Sequence, residues 1–306
     1  MKIMLKENDI NKPIEVSVCV MTFNHQPFIK ECLDGILNQK VGFGVEIIVN
    51  DDCSTDETTE IIKEYERLYP NIIRPVYHKE NLYWTYKEEH KDYYNHIMFP
   101  MARGRYIACC DGDDYWTDPL KLQKQYELME KNPQYSLCHH NYDILCGGRM
   151  IQRTTEIPQI MDLAGAASKG YIQTTSMFFR NPHECLIPEN FPFRNTLYQF
   201  FWAVRLAEFG DIYYIDEVMD VARQHEGGIF NGSDTRNKFM MSAGNIDNMI
   251  LWYAHKGRKD IVKVLQKRLR KEAKGFFLSC VKHLDVSGVA LCIKNLYMSH
   301  FVIKVQ

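Results

Sequence analysis

Three aspartates stand close together directly after a short apolar segment. Residues 106–110 read Tyr-Ile-Ala-Cys-Cys, a run typical of a buried strand, and Asp111, Asp113 and Asp114 follow with Gly112 among them. Carboxylates this close repel one another, and one stays protonated unless a cation lies nearby. Mg²⁺ or Mn²⁺ carrying a substrate diphosphate would remove that repulsion best. A solvated acidic loop is the common alternative, but the carboxyl end of a strand is where open α/β sheets bind ligands.

The rest of the chain must supply the elements that hold these acids. Apolar runs predict strands over residues 16–22, 45–50, 72–77 and 106–110. Helical spacing predicts helices over residues 28–38, from a Ser54 or Thr55 cap to about 69, and over 86–101. Strand and helix therefore alternate, which predicts an α/β fold with a doubly wound, mostly parallel sheet.

The second half of the sequence is less regular. After a helix over residues 120–131 we expect strands at 136–142 and 172–180, a hairpin turn at Gly147-Gly148, and helices at 161–169 and 196–209. Two short strands, 212–215 and 218–223, come next, and the chain reads as helical from residue 235. Gly227, Gly228 and Gly232 mark the expected boundary between an α/β domain over 1–230 and a helical region over 231–306.

Composition restricts the class of protein. The net charge of −2 argues against a nucleic-acid partner, and ten cysteines without a CxxC pair argue for reduced thiols in a cytoplasmic protein. We find no signal peptide and no apolar run long enough to cross a bilayer. One segment, from Lys256 to Lys274, is a basic amphipathic helix. It predicts a peripheral contact with the inner face of a membrane, although a solvated helix face packed on the main domain explains it slightly better.

Four motifs together resemble family 2 glycosyltransferases of the GT-A fold. They are the strand at 16–22 followed by Phe23-Asn24, the run Asp51-Asp-Cys-Ser-Thr-Asp56, the run Asp111-Gly-Asp-Asp114, and Arg223-Gln-His225. Each motif is weak alone, but their order and separation are specific, and the resemblance covers about residues 14–230. It implies a nucleotide-diphosphate sugar as donor, Mg or Mn as cofactor, and a saccharide or lipid-linked acceptor. It also implies inversion at the anomeric carbon and a place in surface-polysaccharide assembly.

The resemblance also implies roles for single residues. Thr22 and Asn24 would lie against the base and ribose, Asp52 would accept a base N–H, and Asp111 and Asp113 would contact ribose and metal. Capping of the next helix is the alternative for the Asp51-Asp52 pair, but Ser54, Thr55 and Asp56 already supply capping groups, so one acid is left over. Two further residues are candidates for diphosphate or acceptor contacts. His225 would face the diphosphate or be a structural histidine, and Trp116 would stack on a sugar or belong to the core.

The base position departs from the family pattern. Family members carry an aspartate there that deprotonates the acceptor hydroxyl, but an ungapped alignment places Gln199 at this position, and an amide cannot take the proton. Either Glu184 or Glu189 in the preceding loop replaces the base, with Glu189 preferred, or the alignment register is wrong, although no acid lies between residues 190 and 205 to take the role. Two other classes remain open: a nucleotide-sugar-binding protein that has lost transfer, and a nucleotidyltransferase. The latter needs a glycine-rich, basic phosphate loop, which residues 23–27 do not form.

Overall fold

The computed structural model describes residues 5, 12–83, 94–153, 156–169, 172–182, 198–228, 234–283, 285 and 287–292. The strands are β1 (Ile14–Thr22), β2 (Gly44–Asp51), β3 (Ile73–Tyr77), β4 (Tyr106–Asp111), β5 (Tyr115–Trp116), β6 (Tyr135–Cys146), β7 (Arg149–Gln152), β8 (Ile160–Met161), β9 (Phe178–Arg180) and β10 (Asp211–Gln224). The helices are α1 (Ile29–Leu37), α2 (Thr58–Leu68), α3 (Phe99–Met101), α4 (Lys121–Lys131), α5 (Leu163–Lys169), α6 (Tyr198–Leu206), α7 (Thr235–His255) and α8 (Lys259–Lys282). A π-helical turn (Tyr94–Met98) precedes α3, and a 3-10 turn (Thr174–Ser176) precedes β9.

The described strands form one sheet in the order β3-β2-β1-β4-β9-β6-β10-β5, with β7 on β6 and β8 on β10. The half β3-β2-β1-β4 is parallel, as is the pair β6 and β10, while β9 joins these halves antiparallel to both. The predicted α/β architecture with a mostly parallel sheet is confirmed. Because β1 pairs Thr22 with Asp51 and Met21 with Asp111, the acid-bearing strand ends meet at one edge.

Helices cover both faces of the sheet, as alternation along the strands requires. In β4, Ala108 and Cys110 join the apolar cluster that contains α1, α2 and α4 residues. Ile107 and Cys109 join the other cluster, which also holds buried residues of α6, α7 and α8. The C-terminal helices therefore share an apolar core with the sheet, and the predicted domain boundary near residue 230 stays a prediction.

Several element predictions need correction. The strand predicted at 172–180 is a 3-10 turn followed by β9, because Thr175 and Ser176 turn their hydroxyls inward to Asp114 and the Gln173 carbonyl. The two short strands after residue 211 are one strand, β10, with an irregularity between Ile215 and Val218. Helix α2 starts at Thr58 instead of after a Ser54 or Thr55 cap. Of the helix predicted at 86–101, residues 84–93 lie outside the described residues.

Glu46 lies on β2 with no solvent exposure, yet it carries a charge. Its carboxylate accepts hydrogen bonds from the Ser17 hydroxyl (2.6 Å), from the Arg103 backbone and guanidinium (both 2.8 Å), and from Arg74. Burial alone would raise the pKa of Glu46, but these hydrogen bonds outweigh it and hold that pKa below its ordinary value. The network joins β1 and β2 to the turn that leads into β4.

We expect Glu46→Gln to lower the free energy of unfolding at pH 7 by about 1.5–3 kcal/mol, the range for hydrogen bonds to a charged group. Because the pKa of Glu46 is lowered in the fold, its contribution is present above the unfolded-state pKa of 4.5 and is lost as pH falls through the folded-state value. Urea unfolding should therefore show the two proteins converging in acid. Glu60→Gln, at an exposed pair with Lys63, is the control and should change little. An equal gap at all pH values would contradict this account.

Candidate functional site

Backbone hydrogen bonds extend the strand pairing into the loops that carry the predicted site residues. The Gly112 N–H donates to the Met21 carbonyl (2.8 Å), and the Asp52 N–H donates to the Thr22 carbonyl (3.0 Å). The loops after β1, β2 and β4 are thus held side by side. The structure brings six of the predicted residues to this edge, namely Thr22, Asn24, Asp52, Asp111, Asp113 and His225.

Asn24 joins the loops after β1 and β2 by hydrogen bonds. Its Oδ1 accepts the Thr55 N–H (2.7 Å), and its own N–H donates to Ser54 Oγ (2.9 Å). Asn24 and Cys53 are the two non-glycine residues with positive φ in the described chain, at 54° and 64°. Such a backbone costs energy and persists where surrounding contacts enforce it, often at functional sites. The hydroxyl of Thr22 beside this loop is buried and has no partner among the described residues.

The two acids after β2 have different partners. Asp51 accepts the Ser54 N–H (3.0 Å) and the Thr59 hydroxyl, so it stabilises its own loop. The two oxygens of Asp52 accept the N–H groups of Leu82 (2.7 Å) and Tyr83 (2.9 Å), across from the β1 loop. Each carboxylate oxygen can accept a second hydrogen bond. The predicted contact between Asp52 and a nucleobase stays a prediction.

Asp111 and Asp113 flank Gly112 in the acid loop. Tyr94 donates its hydroxyl to Asp111 Oδ1 (2.6 Å), but burial and the neighbouring Asp113 raise the pKa of Asp111 to about 7. Asp113 Oδ2 lies 3.0 Å from His225 Nε2. Although burial opposes it, this contact and the imidazoles of His225 and His25 lower the pKa of Asp113. The pair of carboxylates is therefore one whose mutual repulsion a cation would relieve.

Asp114 has a different set of partners from its two neighbours, although burial and the charges of Asp113 and Asp111 raise its pKa. It is 4% exposed, and its carboxylate accepts the Arg223 N–H (2.8 Å), the Thr175 hydroxyl (2.8 Å) and the Gln173 amide (2.9 Å). The three acids therefore remain one electrostatic cluster, in which Asp114 is the member that hydrogen bonds to β10 and to the turn before β9. Arg223 adds to these contacts, because its guanidinium donates to the Asp113 carbonyl (2.6 Å).

His25 is a site residue that the sequence analysis missed. Its ring centroid lies 6.3 Å from that of His225, and its buried Nδ1 has no partner in the described chain. Gly112 packs closely against His25 and Thr22: a Cβ at this position would stand 2.9 Å from His25 Nδ1 and 2.8 Å from Thr22 Cβ. The sequence could have indicated His25 through its position in the loop after β1, because this loop lies at the same sheet edge as the acids.

Asp113 and His225 supply a carboxylate oxygen and an imidazole nitrogen that could bind one ion. Within the described ranges no three His, Cys, Asp or Glu side chains converge as a metal cage. Mg²⁺ at phosphate sites needs no such cage, because it takes one or two carboxylates and fills its shell with phosphate oxygens and waters. The residues present therefore fit a metal that arrives with a diphosphate.

Comparison with known proteins assigns the family. The sequence model of the family described as "Glycosyl transferase family 2" matches residues 17–199. These residues include the loops after β1, β2 and β4. This chain belongs to glycosyl transferase family 2. A Mycobacterium bovis protein, the uncharacterized Mb1547, is 33% identical over 260 residues, or 81% of this chain and 71% of its own length. TuaG of Bacillus subtilis, provisionally named as a teichuronic acid biosynthesis glycosyltransferase, is 33% identical over 41% of this chain and 46% of its own length.

Solved structures support the same fold for this family 2 chain. S. aureus TarS (residues 1–349) in complex with UDP-GlcNAc has a TM-score of 0.66 at 15% identity, covering 92% of this chain and 82% of that one. The mannosyltransferase PcManGT from Pyrobaculum calidifontis, in complex with GDP-Man and Mn²⁺, has a TM-score of 0.51 at 15% identity and covers 96% and 86%. The predicted GT-A fold is confirmed.

Trp116 is buried in this family 2 chain, which favours the core alternative over stacking on a sugar. It is 3% exposed, its Nε1–H donates to the Thr175 carbonyl (3.2 Å), and Lys121 Nζ lies 4.0 Å from its ring centroid. Because β5 pairs with β10, the ring is turned under the acid loop into the core. The core alternative holds for this residue.

An open cleft of about 630 Å³ lies beside His225. It is lined by Phe28, by Leu145–Gly148 at the end of β6, and by Arg223–Glu226 at the end of β10. The Phe28 ring lies 4.8 Å from that of His225. Glu226 is the single carboxylate among these lining residues, and it is exposed. Of the predicted base candidates, Glu184 and Glu189 and the side chain of Gln199 lie outside the described residues; Gln199 is the second residue of α6.

Proposed function

We propose that this chain transfers a sugar from a nucleotide-diphosphate sugar to a saccharide or lipid-linked acceptor, with inversion, in surface-polysaccharide assembly. The observation that carries the proposal is the Asp113–His225 pair, because His225 lines the open cleft and also lies beside His25 of the loop after β1. The nucleotide sugars bound by TarS and PcManGT, and the name given to TuaG, support it.

In this proposal the strand-end loops hold the donor. Thr22 and Asn24 contact base and ribose, Asp52 accepts a base N–H, and Asp111 contacts the ribose. Asp113 and His225, with Asp111, hold Mg²⁺ or Mn²⁺. The metal offsets the charge that develops on the leaving diphosphate. The fixed loops after β1 and β2 would position the donor with little reorganisation.

The acceptor would enter through the cleft beside His225. Its lining of Phe28 and the β6 end suits the apolar faces of a sugar ring, while Arg223 and Glu226 supply polar groups at the rim. None of the described helices is long and apolar enough to span a membrane. We propose a cytoplasmic protein whose C-terminal basic segment touches the membrane from the inner side, with 1–230 as the transferase domain and 231–306 as a helical region.

The alternative function is nucleotide-sugar binding without efficient transfer. The feature that favours it is Gln199, a residue that cannot accept a proton, at the position where the family resemblance implies a base. Glu189 is our first choice of replacement base and Glu184 the second; the exposed Glu226 in the cleft is a third.

A donor screen separates these functions from nucleotide-independent ones. Purified protein would be heated with UDP- and GDP-sugars, each with and without Mn²⁺. A ligand at a hundred times its dissociation constant adds about 2.7 kcal/mol to the free energy of unfolding, which a thermal shift detects readily. We expect one nucleotide to stabilise the protein, more so with Mn²⁺. The absence of any nucleotide effect would overturn both functions.

We expect Asp52→Asn to weaken binding of the preferred nucleotide diphosphate by about 1.5–3 kcal/mol and to change selectivity among bases. Asparagine keeps one acceptor oxygen where Asp52 has two, so a base N–H and the Leu82 and Tyr83 amides would compete for it. Calorimetry with several nucleotides measures this. Asp51→Asn is the matched control, because Asp51 bonds within its own loop. Equal losses for all bases would mean that Asp52 only holds residues 82–83.

A further inference from the structure

Among the described residues, helix α8 buries its side chains on one side. Its inner side, with Ile261, Leu265, Leu269, Ala273 and Phe276, belongs to the core that includes the sheet. Its outer side carries the basic segment that the sequence singled out. The structure separates the cations of that segment into those that are paired and those that are not.

Three cations of the segment have acidic partners. Lys256 pairs with Glu208 (3.3 Å), Arg258 with Asp260 (2.8 Å) and Arg268 with Glu272 (2.8 Å). The other cations are all exposed, and no described carboxylate lies within ion-pair distance of them; they are Lys259, Lys263, Lys267, Arg270, Lys271 and Lys274. We call these six residues the basic face. Steps of three or four residues place them on one side of the helix.

The same side of α8 ends in exposed apolar side chains. Phe277, Leu278 and Val281 are 37%, 57% and 50% exposed, and they continue the three-to-four-residue spacing from Lys274. We call them the apolar end. A solvated helix surface has no need of three large apolar residues at the end of six unpaired cations. A helix lying at a bilayer interface uses both, because the cations meet anionic headgroups and the apolar groups enter the acyl boundary.

We infer that the basic face and apolar end of α8 bind the surface of a membrane that contains anionic lipid. Charge complementarity decides the occupant. Nucleic acid would also attract the cations, but it offers nothing for the apolar end, and the whole protein carries a net charge of −2. The inference refines the peripheral membrane contact that is part of the proposed function, and its biological role rests on that function. Membrane binding itself requires neither a bound donor nor sugar transfer.

The test is flotation of the full chain with vesicles of phosphatidylcholine, with and without phosphatidylglycerol. We expect binding only when phosphatidylglycerol is present, and a decrease as salt rises. The triple variant Lys263→Gln, Lys267→Gln, Lys274→Gln should bind about a hundredfold more weakly, since each cation near an anionic surface contributes independently. Its matched control is Lys30→Gln, Lys40→Gln, Lys79→Gln, which makes the same charge change at exposed lysines elsewhere and should bind like the wild type.

A second pair of variants tests the apolar end. The wild type should keep part of its vesicle binding at high salt, and the double variant Leu278→Ser, Val281→Ser should lose that part. The control is Leu68→Ser with Ile160→Ser, at residues that are 46% and 49% exposed, and it should bind like the wild type. All of these sites are exposed, so thermal unfolding and nucleotide binding should match the wild type; that result separates failure of this surface from failure of the donor site. Equal binding to neutral vesicles, equal loss in the control variants, or concentration-dependent dimerisation that Leu278→Ser abolishes without any vesicle binding would overturn the inference.

Discussion

Asp113→Ala should abolish the Mn²⁺-dependent part of nucleotide binding and leave the fold intact. Asp113 supplies the carboxylate that faces His225 Nε2 at 3.0 Å, so the variant removes the oxygen ligand of the proposed pair. Loss of a residue that only supports a metal ligand typically costs 10–100-fold in metal affinity, and loss of the ligand itself should cost at least about a hundredfold. Stability should change little, because the remaining Asp111 no longer faces a like charge.

Calorimetry with and without Mn²⁺, alongside thermal unfolding, measures this result. Asp118→Ala is the matched control, since Asp118 pairs with Lys124 at 2.7 Å and is given no part in the metal site. Asp114→Ala provides a contrast: it leaves three buried donors without their acceptor and should lower stability. Unchanged Mn²⁺–nucleotide affinity in Asp113→Ala would remove the acid loop from the metal site.

If Gln199 holds the family's base position and no other carboxylate replaces it, sugar transfer by the wild-type protein should be slow relative to its donor binding, and Gln199→Asp should raise the transfer rate. A positioned general base contributes about 10²–10⁴-fold, and the residue at that position cannot serve as one. Single-turnover transfer from the donor found in the screen measures the rate, with donor affinity determined separately. Gln199→Ala is the control, because it changes the same position without adding a proton acceptor.

Variants of the candidate replacement bases test whether another carboxylate takes the proton. If Glu189, Glu184 or Glu226 takes the proton, the corresponding Gln variant should lose rate by a similar factor while donor affinity stays constant. In that case Gln199→Asp should have little effect. Fast wild-type turnover that none of these four substitutions alters would show that the base lies elsewhere and that the alignment at Gln199 is wrong.

Strand patterns and strand-end acids predicted the architecture and the site's location, because both depend on local periodicity and on chain order. These patterns could not predict hydrogen-bond partners that come from segments distant in the chain. Asp114 looks equivalent to Asp113 in the sequence, and only the β10 backbone at Arg223 and the turn at Thr175 give it different partners. The two alternatives for Trp116 stayed open for the same reason, since its ring direction depends on the pairing of β5 with β10. His25 carries no periodic signal at all.

The shared core has a consequence for protein production and for variation in the C-terminal helices. Tyr94, whose hydroxyl holds Asp111, packs edge-on against Trp202 of α6 at 5.0 Å. Phe201 contacts Trp252 of α7 at 6.2 Å, and Glu208 accepts the Tyr253 hydroxyl at 2.6 Å. A fragment cut near residue 230 would keep Tyr94 and Trp202 but lose the side chains of α7 that contact Phe201 and Glu208, so it would expose aromatic surface. Residues 1–230 should therefore aggregate when expressed alone, and substitutions in α7, more than a hundred residues from Asp111, can disturb the α6 packing against which Tyr94 lies.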